Sequence, residues 1–213
     1  MQKKVYTVYS EMTPNPNSMK FVASRMLLDE GKVEYYQKSE AKECPLAFQL
    51  FDFTGVKSIF ITSNFVTITK EADLDWYEIT NILREFIQSF LNNGERVFSL
   101  EFRVQSSELG ISSSDKKEDH VSNVGESVIQ YSNTESAELE NQIKQMLDEY
   151  VRPAVEGDGG AIDFKSFNDG IVTVVLKGSC SGCPSSTITL KSGIENLLKR
   201  MIPEVKEVVA EAD

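Results

Sequence analysis

Apolar residues recur along this chain with a period of two in some stretches and a helical period in others, and the changes mark its elements. Over the first hundred residues, β-branched and aromatic runs at Val5 to Tyr9, Met19 to Ala23, Val33 to Tyr36, Val56 to Thr62 and Phe65 to Lys70 predict strands bounded by turn chemistry. Two helices are predicted among them. The first is Pro45 to Phe53, with proline at its start and Gly55 just past its end; the second is Leu74 to Asn92, with Ile79, Ile82, Leu83, Phe86, Ile87 and Phe90 at helical spacing and Asn93-Gly94 as the stop. Thr13-Pro14 and Asn15-Pro16 hold the chain extended or turned, since a residue before proline is pushed out of the α region. Trp76 and the phenylalanines are assigned to the core of this unit.

The pattern then falls silent. From about 105 to 135 the chain is Ser, Asp, Glu, Lys and Asn, with Lys116 and Lys117 set against Glu108, Asp115, Glu118, Asp119, Glu126 and Glu135. Such a stretch cannot bury enough apolar surface to offset the entropy of ordering, and it reads as a solvated, mobile linker. His120, the chain's single histidine, falls inside it and reads as a solvated side chain. Periodicity returns at 136. Leu139, Ile143, Met146, Leu147, Tyr150 and Val151 form one side of a helix that Pro153 should kink and Gly157 end. Asp158-Gly159-Gly160 reverses the chain into a strand over Ile162 to Phe167. Asn168-Asp169-Gly170 predicts a hairpin into Ile171 to Leu176. A helix to Met201 and a short strand, Val205 to Val209, follow. The fold class is therefore α+β: two small two-layer units, 1–104 and 136–213, joined by a flexible acidic linker, 105–135.

Composition narrows the function. With 33 acidic against 22 basic residues the net charge is −11, which argues against nucleic acid and anionic membrane surfaces and for protein partners. Cys44, Cys180 and Cys183 are too few and too unevenly placed for a secreted disulfide framework. No run is apolar enough to span a membrane. Strand-like sequence from Val5 leaves no room for a leader, so the expected location is cytoplasmic.

The chemistry concentrates in Gly178-Ser179-Cys180-Ser181-Gly182-Cys183-Pro184-Ser185-Ser186, a strand-to-helix loop. Pro184 suits the first helical position, which puts Cys183 near the N-cap, where free N–H groups and the dipole favour a thiolate. Two thiolates from C-x-x-C grip one face of a metal centre but supply only two of the four ligands that tetrahedral zinc or a four-iron cluster needs. The simplest completion is the same loop of a second copy, giving four cysteines across a twofold axis. Three readings stand: an iron–sulfur site, a zinc-bridged interaction module, and a thiol–disulfide oxidoreductase working through Cys180 and Cys183. The hairpin before the loop departs from the βαβ context of a thioredoxin-like dithiol, and small Ser181 and Gly182 let backbone N–H groups approach cluster sulfurs. No catalytic set of side chains stands out, and the reading is non-enzymatic.

The run Gly178 to Ser186, with Thr189-Leu190-Lys191-Ser192-Gly193-Ile194-Glu195, Ile202-Pro203-Glu204-Val205, Arg152-Pro153 and Asp158-Gly159-Gly160, resembles the NifU-like C-terminal (Nfu) domain. Thr13-Pro14-Asn15-Pro16-Asn17-Ser18-Met19-Lys20-Phe21, Pro45-Leu46-Ala47, Leu50-Phe51 and Gly55-Val56 resemble the N-terminal domain that accompanies it in many Nfu proteins. The resemblance implies an iron–sulfur scaffold or carrier. Cys180 and Cys183 would ligate a [4Fe–4S] cluster bridged between the two subunits of a homodimer, which takes it from a cluster donor and passes it to client apo-proteins. Cys44 lacks a C-x-x-C partner and reads as a lone thiol.

Overall fold

The computed structural model describes residues 5–100, 102, 131–181 and 184–212. The first unit contains strands β1 (Val8–Met12), β2 (Ser18–Ala23) and β3 (Lys32–Tyr35), helix α1 (Pro45–Leu50), strands β4 (Val56–Thr62) and β5 (Phe65–Lys70), and helix α2 (Trp76–Asn92). The strands form one antiparallel sheet in the order β1-β2-β5-β4-β3. Its inner face, from Met19 and Phe21 through Ile59, Ile61, Val66 and Ile68, meets Leu46 and Leu50 of α1 and Leu83, Ile87 and Phe90 of α2 in one core. Ile82 faces away and is exposed.

β4 and β5 match the expected ranges residue for residue, because each alternates β-branched residues between clear turns. The first strand runs over Val8–Met12 instead of the expected Val5 to Tyr9. Asn92 explains the shift: its side-chain amide accepts from Tyr6 N–H and donates to Tyr6 C=O, so the ladder begins only past it. α1 stops at Leu50 rather than Phe53, where N–H groups of Asp52 and Phe53 turn to carbonyls three residues back. A six-residue 3₁₀ helix, Lys38–Glu43, was not expected. The Glu40 carboxylate secures its start by accepting from the N–H groups of Tyr36 and Gln37.

The second unit runs α3 (Tyr131–Met146), a π-helical turn (Leu147–Val151), α4 (Arg152–Gly157), β6 (Gly160–Asn168), β7 (Ile171–Gly178), α5 (Pro184–Met201) and β8 (Glu207–Ala212). The sheet order is β6-β7-β8, antiparallel then parallel. Its core joins Ile143, Leu147 and Val155 to Val172, Val174, Ile194 and Leu198. The kink expected at Pro153 takes the form of the widened π turn, since proline has no N–H to give the preceding turn. That wider turn leaves Tyr150 51% exposed rather than on the buried stripe. Asp169 and Gly170 both take positive φ, 51° and 88°, as a two-residue hairpin turn requires. β8 begins at Glu207 instead of Val205 because the N–H groups of Lys206 and Glu207 are first bound to the Gly170 carbonyl. α3 takes in residues 131–135, the end of the expected linker; the rest of that linker, with His120, lies outside the described residues.

The two units touch. β2 is buried at every position although the pattern of a half-buried strand would leave one face open. Its second face is covered by the other unit, where Ala161 joins Val22, Phe60 and Phe65 in a small apolar cluster.

Candidate metal centre

The end of β7 and the turn before β6 build the site together. Gly160 and Gly178 are paired across the hairpin ladder, and Gly178 leaves the strand with φ +67°, the left-handed region that turns the chain into the loop. Ser181 closes a tight turn by donating from N–H and hydroxyl to the Gly178 carbonyl, at 3.1 and 2.8 Å. Ser179 ties the loop to the other segment, with its N–H on Gly159 C=O at 3.2 Å and its hydroxyl on Asp158 C=O. A Cβ at Gly160 would stand 2.6 Å from Cys180 Sγ and 2.8 Å from the Lys177 carbonyl, so this glycine is the space into which the sulfur packs. Asp158-Gly159-Gly160, expected only to reverse the chain, thus also shapes the thiol's seat. The signal available in sequence was the pair of glycines placed opposite Gly178.

Cys180 is 6% exposed, at the rim of the second core. Burial pushes its thiol up; the Ser179 hydroxyl opposes this, while the carboxylates of Asp158 and Glu34 add to it. α5 starts at Pro184, as the proline implied. Cys183, the other expected ligand, lies outside the described residues. Cys44 is fully buried in the first core, as a lone thiol, and burial pushes its pKa up to about 12. The two described cysteines therefore belong to separate cores. Among the described residues, no group of three or more His, Cys, Asp or Glu side chains is gathered to hold a metal.

Residues that sequence reasoning missed come from the first unit. Asn15 Nδ2 donates to Ser179 C=O at 3.2 Å, Thr67 Oγ1 to Gly159 C=O at 2.6 Å and Lys20 Nζ to Gly157 C=O at 3.2 Å. Both oxygens of Glu34 accept from Gly178 N–H at 3.2 Å, and Lys32 pairs with Asp163. A cavity of about 240 Å³ opens beside the loop, lined by Ser181 with Asn15, Asn17, Lys57, Thr69 and Lys70. Nothing in the spacing of these residues announces a partner, since polar positions alternating with a core face read as solvent-facing.

A cysteine loop at a strand-to-helix junction, seated on a glycine pair and flanked by a second sheet domain, defines a cysteine-loop protein of two α+β units. Comparison with known proteins supplies the family. A family model described as scaffold protein Nfu/NifU N terminal matches residues 8–94, and one described as NifU-like domain matches 143–209. A Homo sapiens protein named NFU1 iron-sulfur cluster scaffold homolog, mitochondrial, is 37% identical over 202 residues, covering 94% of this chain and 70% of its own. NifU-like protein 4, mitochondrial, of Arabidopsis thaliana is 32% identical over 214 residues, covering 100% and 68%. A solution structure of a NifU-like protein from Saccharomyces cerevisiae aligns at a TM-score of 0.43 and 28% identity, over 47% of this chain and 92% of that one. The chain belongs to the Nfu/NifU scaffold family. The expected cytoplasmic location is corrected by these relatives, which are named mitochondrial; strand-like sequence near residue 5 carries no information on compartment.

Proposed function

We propose that the chain is a non-enzymatic iron–sulfur carrier that takes a [4Fe–4S] cluster from a donor, holds it through Cys180 and Cys183 between two copies, and passes it to client apo-proteins. One observation carries the reading. In a member of the scaffold family, Cys180 stands on a tightly turned loop whose glycine seat keeps its sulfur at the rim of the core. Cys183, three residues on and just before Pro184, would add a second thiolate next to a helix N-terminus, where the dipole offsets negative charge. Two thiolates per chain leave two cluster positions for a second copy. Ile188, 66% exposed in the first turns of α5, adds apolar surface to that approach. Iron–thiolate bonds need deprotonated sulfur, so each ligand's proton leaves on loading, and a client thiolate can then replace one carrier thiolate at a time.

The experiment is anaerobic reconstitution with iron, labile sulfide and zinc counted per chain. Cys180→Ser and Cys183→Ser should each abolish cluster binding, while Cys44→Ser retains it. Zinc without sulfide would favour the zinc-bridged module, and loss of cluster in the Cys44 variant alone would overturn the ligand assignment. The same reading divides the chain at 1–104 and 136–213. Limited proteolysis should cut first between 105 and 130, where apolar residues are scarce. First cuts within 1–104 would reject that division.

A further inference from the structure

Among the described residues, four side chains of the first unit reach backbone groups on the glycine-rich edge of the second. The carbonyls of Gly157, Gly159 and Ser179 accept from Lys20, Thr67 and Asn15, and the Gly178 N–H donates to Glu34. These groups belong to the two segments, 157–161 and 177–181, that build the seat of Cys180. The fit is close. Gly159, at φ +80°, has Thr67 Oγ1 3.0 Å from where a Cβ would be, and Gly178 has the Phe60 ring at 2.9 Å. Only backbone bare of side chains passes this near a sheet face. The contacts are also buried: Thr67, on the face of β5 turned away from α1 and α2, is 1% exposed, and Asn15, in the turn between β1 and β2, is 4% exposed. With Val22, Phe60, Phe65 and Ala161 packed between them, this is a specific interface.

The interface sets two demands on the loop against each other. A cluster bridged between copies needs a second loop brought up to Cys180, while Asn15 holds the Ser179 carbonyl beside it and Ser181 faces the wall made by Asn15 and Asn17. A thiolate-ligated cluster is anionic, and docking places the Glu34 carboxylate on the Gly178 N–H, two residues from Cys180, with Asp158 nearby. Lys57 and Lys70 line the same cavity as Ser181, so the competition rests on the space that the docked face occupies beside the loop. We infer that the outer face of the first unit's sheet is a recognition surface for the cysteine edge of its own chain, and that docking there competes with the approach of a second copy. Domain docking and cluster loading then exclude one another, and the first unit acts as an intramolecular cap. The inference rests on the carrier role proposed above.

Hydrogen exchange on the full-length apo protein, followed by anaerobic reconstitution, tests it. Thr67→Val removes one hydrogen bond, and Thr67→Glu sets a carboxylate against the Gly159 carbonyl; both substitutions are tolerable to a folded sheet once the face is free. Thr67→Val should raise the uptake rate of iron and sulfide by about fivefold, the shift that loss of one ordinary hydrogen bond gives a two-state equilibrium. Thr67→Glu should raise it further and strip protection from the Gly178 amide, which donates to Glu34 of the first unit, while amides of α2 stay protected and show that the unit remains folded. Wild-type protein should lose the same protection on loading. The inference is overturned if Thr67→Glu frees that amide yet loads at the wild-type rate, or if loaded wild-type protein keeps it protected. A wild-type chain that takes up no iron or sulfide defeats the carrier role, and the coupling with it, whereas exchange on the apo protein still reports whether the face is docked.

Discussion

The first unit holds Cys44 and the second holds Cys180, and both thiols are buried free cysteines whose pKa burial raises. Burial therefore does not distinguish an inert cysteine from a candidate ligand. The surroundings do. Cys44 precedes α1 in the middle of a core of Tyr35, Leu46, Ala47 and Leu50, closed on all sides by side chains. Cys180 stands at a chain end of a hairpin, where one wall of its seat is the missing side chain of Gly160 and the next residues lead out to a helix start. A thiol in the first setting can only pack. A thiol in the second can be turned outward by a change in one tight loop.

The largest effect that sharpens this contrast is predicted at Gly160. Gly160→Val fills the space of the Cys180 sulfur and meets the Lys177 carbonyl, and overpacking of this kind costs about 1–3 kcal/mol or more. The melting temperature should fall by several degrees, by about 4–8 °C for each kcal/mol in a domain of this size. Cluster binding should be lost with it. An unchanged melting temperature would show that the sulfur's seat is not closed by Gly160.

Next comes the alkaline limb of stability. Cys44 holds its proton in the folded state to about 12, above the usual thiol range, whereas the unfolded chain releases it earlier. The unfolded state then binds fewer protons, so stability should fall as pH rises from about 9 toward about 12. Cys44→Ala should flatten that fall without abolishing it, because Tyr35, also held protonated by burial, contributes with the same sign. Urea titrations at pH 7.5 and 10.5 measure it; identical slopes against pH in the two proteins would reject the assignment.

The smallest effect is at Gly193, on α5, where a Cβ would meet nothing within 4 Å. Gly193→Ala should stabilise the second unit by about 0.5–1 kcal/mol, the helix-propensity difference alone. A loss of stability there would mean that α5 packs more closely than its geometry implies.

Much of this architecture was legible in the sequence, and the gaps have physical causes. β4, β5, the Asp169-Gly170 turn and the start of α5 follow from local patterning and turn chemistry, which tertiary contacts did not override. β1 was misplaced because Asn92, far along the chain, ties up the backbone of Tyr6. Tyr150 was put in the core because a regular helical period cannot foresee a π turn ahead of Pro153. The place of the cysteine loop between β7 and α5 was legible, and its glycine seat was not, because Gly160 acts through the ladder pairing that sets it opposite Gly178. Least legible was the docking of the two units. Asn15, Lys20, Glu34 and Thr67 bind backbone groups more than 90 residues away, and nothing in a polar residue's type says which carbonyl it will find.

Sedimentation of apo and reconstituted protein, with iron and sulfide counted in each peak, tests the central claim most directly. Two chains that each supply Cys180 and Cys183 to one [4Fe–4S] cluster should sediment as a dimer carrying four irons per two chains, and removal of the cluster should return monomers. A monomer carrying a complete four-iron cluster would contradict the bridged arrangement, as would a dimer that persists unchanged after the iron is gone.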